Sequence, residues 1–116
     1  MDTIRPTRPK GYDPNVALVD TEAEVPSWTF LTNHAHVLVA ISRDPELRQR
    51  DIAQLVGITQ GAVTRILGDL EASGYITHER VGRRNRYQIN PTATLRHPLE
   101  ADVTIGQLIE LTNHAG

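Results

Sequence analysis

The 116-residue sequence predicts a mainly α chain with a small β-hairpin: three core helices, a hairpin, and one further helix at the C-terminus. Three observations carry this α+β reading. Apolar residues recur at helical spacing in two long stretches, His34 to Ile41 and Val63 to Leu70. Glycine or proline stands at the end of each helical stretch. An alternating run, Arg86 to Asn90, follows a Gly-Arg-Arg-Asn turn.

Residues 1–27 read as an arm. Pro6, Pro9, Pro14 and Pro26 interrupt any helix, and Val16 to Val19 form its one apolar cluster. Trp28-Thr29-Phe30 reads as either a short strand or an anchor for the first helix. That helix is predicted over 33–43, capped by Thr32 or Asn33. His34, Val37, Leu38 and Ile41 share one face, and Asp44-Pro45 ends it. A second helix is predicted over 49–56 with Ile52, Leu55 and Val56 inward. Gly57 stops it in a left-handed conformation, and Ile58 follows as a buried pin. Thr59 caps a third helix over 60–73, with Val63, Ile66, Leu67 and Leu70 inward, and Gly74 ends it.

Tyr75 to Val81 reads as a strand of poor alternation, residues 82–85 as a turn, and Arg86 to Asn90 as a strand with Tyr87 and Ile89 on one face. Residues 91–102 read as a connector. A last helix over 103–112 carries Val103, Leu108, Ile109 and Leu111.

Composition excludes several kinds of chemistry. There is no cysteine, hence no disulfide, thiolate metal site or cysteine nucleophile. No run of apolar residues is long enough to span a membrane, and the N-terminus lacks the apolar segment of a secretory signal, so a cytoplasmic protein is expected. The three serines lie in no nucleophile elbow, and no P-loop or GxGxxG is present, so no enzyme and no cofactor are expected. His34 and His36, two apart on a helix, point in nearly opposite directions and cannot chelate one ion together; a metal site assembled between subunits stays open.

The formal net charge of −2 hides a division along the chain. Residues 43–86 carry eight arginines against six acids, whereas both flanks are net acidic. Four of those arginines fall between Arg80 and Arg86. A positive zone between acidic ends is the pattern of a localised anion site, and the planar guanidinium suits phosphate or guanine.

The segment RDIAQLVGITQGAVTRILGDL, Arg50 to Leu70, has the spacing of two helices joined by a tight turn. Ala53 permits a close crossing, Gly57 makes the turn, and Ile58, Val63 and Ile66 fill the angle. Gln60, Gly61, Thr64 and Arg65 are left on the exposed face of the third helix, a set that suits the major groove. Together with the strand and arginine-rich turn that follow, residues 31–90 resemble the winged helix-turn-helix of bacterial MarR-like and ArsR-like transcription regulators. The longer run SWTFLTNHAHVLVAISRDPELRQRDIA, with the tail RHPLEADVTIGQLIEL, also looks like a small regulator type common in actinobacteria.

The resemblance implies that Gln60, Thr64 and Arg65 approach bases, that Thr59 touches phosphate, and that Arg83, Arg84 and Arg86 form wing contacts. Arg50 either reaches phosphate or pairs with a nearby acid. Two departures stand out: Arg48 occupies a position that usually carries a capping residue, which leaves that helix start weakly capped unless the arginine is kept for phosphate, and the short C-terminal helix argues against a MarR-type ligand pocket.

The domain reading is an arm over 1–27, a winged helix-turn-helix DNA-binding domain over 28–90, and a connector with a dimerisation helix over 91–116. The expected function is a sequence-specific regulator that binds double-stranded DNA as a homodimer. Val103, Leu108, Ile109 and Leu111 would supply the dimer surface, packing on the first helix where Val37, Val39 and Ala40 offer apolar area. The alternative is a winged-helix protein-interaction adaptor that binds no DNA. A small apolar effector at the dimer interface stays open, although no cluster of residues identifies one. The arm is open to three roles: a minor-groove arm through Arg5, Arg8 and Lys10, a dimer strap, or a tail.

Overall fold

The computed structural model describes residues 25–113. The proline-rich arm therefore lies almost wholly outside the described residues, as does His114. The chain divides into two units, Met1–Phe30 and Leu31–Gly116. In the first, the described residues form neither helix nor strand, so the strand reading of Trp28 to Phe30 is not met. The Trp28 and Phe30 rings instead meet edge to face, with centroids 5.3 Å apart.

The second unit begins with α1, Asn33–Arg43. Thr32 is its cap: the hydroxyl accepts from Ala35 N–H at 3.3 Å, satisfying one of the helix's orphan donors. Asp44, extended before Pro45, terminates it. Val37, Leu38, Ala40 and Ile41 are buried, whereas His34, on the same predicted stripe, is exposed.

Helix α2, Gln49–Val56, starts at Arg48. An arginine side chain carries no acceptor, so the Asp51 carboxylate takes up the start by accepting from Arg48 N–H at 3.3 Å. Ile52, Ala53 and Val56 face the core, but Leu55 does not and is 55% exposed. The sequence pattern suggested an inward place for Leu55. At 3.6 residues per turn it lies roughly 100° from the centre of the stripe that the other three define, and the small Ala53 takes the inner position instead. Gly57 closes the helix with φ +87°, the left-handed region expected of it. Ile58 is half-buried against the core.

Helix α3, Gln60–Ala72, is capped by Thr59, whose hydroxyl accepts from Ala62 N–H at 3.0 Å. Val63, Ile66, Leu67 and Leu70 are all buried. Its C-terminus is a Schellman motif. Tyr75 N–H donates to Leu70 C=O at 2.9 Å, and Gly74 N–H donates to Glu71 C=O at 3.1 Å. Tyr75 thus belongs to the helix stop, and the first strand begins one residue later than the sequence suggested.

Strands β1, Ile76–Val81, and β2, Arg84–Ile89, form an antiparallel pair from Ile76↔Ile89 to Val81↔Arg84. Only Gly82 and Arg83 make the turn. The predicted turn over 82–85 was too long, because Arg84 and Asn85 pair with Val81 and Arg80. Of β1 only Ile76 is buried, so its irregular alternation reflects a hairpin that runs out from the core. Tyr87 is buried and Ile89 half-buried, as the alternation of β2 required. Tyr87 N–H also donates to Pro45 C=O at 2.9 Å, joining the hairpin to the α1–α2 connection.

The connector after β2 is held by backbone bonds. Leu95 N–H donates to Val103 C=O at 2.9 Å, and Ile105 N–H donates to Ala93 C=O at 2.7 Å. A short 3-10 turn, Pro98–Glu100, interrupts it. Helix α4, Ile105–Thr112, starts two residues later than predicted, because the Val103 carbonyl is engaged with Leu95 and Thr104 is the cap. Thr104 and Gln107 form a reciprocal capping box at 3.1 and 2.8 Å. Ile105, absent from the predicted apolar set, is the buried residue of α4.

Helix α4 packs on α1. Arg43 fastens the two: its guanidinium donates to Asn113 Oδ1 at 2.8 Å and to Thr112 C=O at 3.1 Å, a cation at the negative end of α4. Val37 and Ala40, expected to offer apolar area to a partner, are consumed by the chain's own core; Val39 is half-buried.

Candidate nucleic-acid interface

The turn between α2 and α3 and the caps just described fix which side chains of α3 face outward. Gln60, Gly61, Thr64 and Arg65 are all exposed, as the helical period demanded once Val63, Ile66 and Leu67 turned inward. Gly68 extends this face, and a Cβ built on it meets nothing within 4 Å. The sequence reading missed Gly68, though it stands four residues after Thr64. The N-terminal part of α3 is therefore low in relief, with Arg65 as its one long cation.

Thr64 is held rather than loose. Its hydroxyl lies 2.6 Å from Gln49 Oε1 and 3.1 Å from the Gln60 carbonyl. Both are acceptors, so its proton is committed to them. Gln49 opens α2, so this contact links the exposed face of α3 to the preceding helix.

The arginines divide by what surrounds them. The side chains of Arg50, Arg65 and Arg83 make no hydrogen bond or ion pair within the described residues, and all three are exposed. Arg50, open between phosphate and an acid partner in the sequence, thus has no acid partner here. Arg84 reaches only the Glu46 carbonyl, at 3.4 Å. Arg86 is engaged: Glu46 Oε2 lies 2.9 Å from one terminal nitrogen and 3.0 Å from Nε, and Glu79 lies 3.6 Å away. The wing arginines, alike in the sequence, are therefore one unpaired tip residue, one weakly tethered residue and one neutralised residue.

A groove of about 430 Å³ opens between the start of α2 and the hairpin. Arg48, Gln49, Arg80, Arg83, Arg84 and Asn85 supply its polar lining, with Leu47 and Tyr87 as the apolar part. Arg48 and Arg80 were not among the predicted site residues. Arg80 was signalled in the sequence by its place in the arginine-rich run, and Arg48 by an arginine standing where a cap is usual.

The described histidines all have local partners. His34 bonds Asp69 at 2.9 Å, His36 bonds Asn33 at 3.3 Å, His78 bonds Glu71 at 3.0 Å, and His97 caps the 3-10 turn. Among the described residues, no group of three or more His, Cys, Asp or Glu side chains could hold a metal, and no helix is long and apolar enough to cross a membrane.

A tight two-helix corner, an exposed second helix and a basic antiparallel hairpin define the winged helix-turn-helix class. A family model described as the MarR family matches residues 29–86, and the chain belongs to that family, which has a transcription-regulator fold. The uncharacterized protein MJ1254 of the archaeon Methanocaldococcus jannaschii is 30% identical over 60 residues, covering 51% of this chain and 13% of that protein.

Proposed function

We propose that the protein is a sequence-specific transcription regulator that binds double-stranded DNA as a homodimer in the cytoplasm. The observation that carries this reading is the outward face of α3: Gln60, Gly61, Thr64 and Arg65, short polar groups and one unpaired cation, beside an arginine-bearing wing. Such a face fits the major groove, where base edges present donors and acceptors to side chains at the start of a helix. Thr59 and the free N–H groups at the same helix start suit a phosphate. Arg83 and Arg84, at the hairpin tip, suit the minor groove or backbone beside it. Arg50 adds a cation from α2. Arg86 has a weaker claim to direct contact, because Glu46 holds it.

Dimerisation follows from the size of the reading surface, since one small module buries too little for tight specific binding at cellular salt. Two copies would set their α3 helices about 34 Å apart, one turn of the duplex. Leu111, 74% exposed, with half-buried Leu108 and Val39, supplies the apolar surface for a second copy.

The test is fluorescence anisotropy on a labelled duplex taken from upstream of the coding sequence and on a random-sequence pool, across a salt series. Steep salt dependence that weakens in an Arg83→Ala, Arg84→Ala double variant supports the reading. Salt-insensitive, weak binding to every duplex by both proteins overturns it and favours the protein-interaction adaptor.

A further inference from the structure

Helix α3 carries two acids at the end where it is already negative. Asp69 and Glu71 lie in its last turn, which holds no basic residue. The macrodipole places about half a negative charge there, so carboxylates are unfavourable and a cation is welcome. The cations on offer come from other elements, and both are histidines. His78 of β1 sets Nδ1 3.0 Å from each oxygen of the Glu71 carboxylate. His34 of α1 sets Nε2 2.9 Å from Asp69 Oδ2. Asp69 and Glu71 are two residues apart, roughly 200° around the helix, so the contacts grip α3 from two sides. His36 and His97 bond only within their own segments.

We propose that His78 and His34 form a proton-operated brace, which firms the C-terminal end of α3 when they are charged. Imidazole takes up its proton around pH 6.5, whereas carboxylates stay ionised down to about pH 4. Between those limits each contact is an ion pair at the negative end of α3. Above them it is a neutral hydrogen bond, and the two acids are left uncompensated. The brace is therefore closed in mild acid and opens as pH rises through the imidazole range.

The surroundings make the two arms unequal. His78 faces Glu71 from α3 and the Tyr87 ring from β2, with centroids 6.1 Å apart. Arg80, two residues on along the same strand face, opposes its charge; Glu79 and Arg86 pair on the other face. His34 faces Asp69, with Arg65 one helical turn earlier on α3. Among the described residues, no charged side chain of α2, α4 or the hairpin bonds His34. His34 also stands in the first turn of α1, whose positive end disfavours a further positive charge. His78 is thus the stronger arm.

The brace ties α3 to the first wing strand and to α1, so it bears on how firmly the outward face of α3 is presented. That consequence rests on the DNA-binding reading, whereas the brace itself is tested without DNA.

Amide exchange of the free protein is followed by NMR at about pH 5.5 and about pH 8, each rate referred to its intrinsic value. The reporters are the amides of Ser73, Gly74 and Tyr75, which donate to the carbonyls of Asp69, Glu71 and Leu70. Their protection in wild type is expected to be about two- to fivefold higher at the lower pH. His78→Gln, which can bond but never charges, is expected to lose most of that gain. His78→Lys, a permanent cation, is expected to keep the higher protection at both pH values. Circular dichroism verifies that each variant is folded, the His78 side chain being 41% exposed. Duplex affinity, by anisotropy at the same two pH values, is expected to gain more in wild type than in His78→Gln. Equal changes in protection across the three proteins overturn the brace. Protection that follows the brace, with the same affinity change in wild type and His78→Gln, overturns its control of DNA binding. A wild type that binds no duplex at either pH defeats the DNA-binding reading alone, and exchange then decides the brace.

Discussion

Glu46 and Arg86, 40 residues apart in the chain, meet in a two-pronged ion pair at 2.9 and 3.0 Å. The pair lies beside the backbone bond from Tyr87 N–H to Pro45 C=O, so the α1–α2 connection holds the second wing strand by both main chain and side chain. The pair is 46% and 41% exposed, which limits its thermodynamic weight. Glu46→Gln is expected to lower stability by less than about 1 kcal/mol in urea denaturation. The same change frees Arg86 and removes a negative charge beside it, so on the DNA-binding reading duplex binding at low salt is expected to strengthen and its salt slope to steepen. A stability drop of several kcal/mol would give the pair a buried character that its exposure denies.

The inward stripe of α2 gives a sharper stability contrast. Ile52 is fully buried and Leu55 is 55% exposed. Ile52→Ala is expected to cost about 2–5 kcal/mol. Leu55→Ala should stay within about 0.5 kcal/mol. Equal costs in denaturant titrations would contradict the orientation of α2.

Two helical glycines should respond with opposite signs. A Cβ on Gly68 meets nothing within 4 Å, so Gly68→Ala is expected to stabilise by about 0.5–1 kcal/mol through helix propensity. On the DNA-binding reading it should also weaken duplex binding, because it raises relief on the outward face of α3. A Cβ on Gly106 stands 3.1 Å from the Pro91 carbonyl oxygen. That oxygen also accepts from Gly106 N–H at 2.9 Å, so it cannot easily retreat. Gly106→Ala is expected to destabilise by about 1 kcal/mol net, the overlap exceeding the propensity gain. Thermal melts of the two variants check both signs.

Leu111 tests the proposed homodimer. Multi-angle light scattering of Leu111→Glu is expected to give a monomer where the wild type gives a dimer. Its intrachain core should be unaffected, because Leu111 is 74% exposed. A variant that remains dimeric would move the interface away from α4.

Much of this fold was legible in the sequence because its punctuation is local. Asp44-Pro45, Gly57 and Gly74 end α1, α2 and α3 through constraints that act within one or two residues, so those boundaries fell within a residue of the observed ones. Leu55 was misread because the period alone does not say which edge of a short stripe meets the core. The hairpin turn was overextended because Arg84 and Asn85 look like loop residues, while strand pairing fixed their place. Ile105 escaped notice since the helix start depends on Thr104 being held in a bridge to Thr94, a pairing that local pattern does not show. At the site, the outward residues of α3 followed from the inward ones. The pairing of Arg86 and the shared groove of Arg48 and Arg80 did not, because each joins segments that are distant in the chain.

The Thr64 hydroxyl has one proton, and Gln49 and Gln60 together hold it. On the DNA-binding reading, Thr64 meets a base edge with lone pairs and a methyl group only. It would then favour the exocyclic amine of adenine or cytosine, or the thymine methyl, over an acceptor edge of guanine. Gln49 would in that case help to write the operator alphabet without touching a base. Replacing it by a residue that cannot accept would leave only the longer contact to the Gln60 carbonyl, from which the proton turns more easily to a base edge, and so change which letter is read.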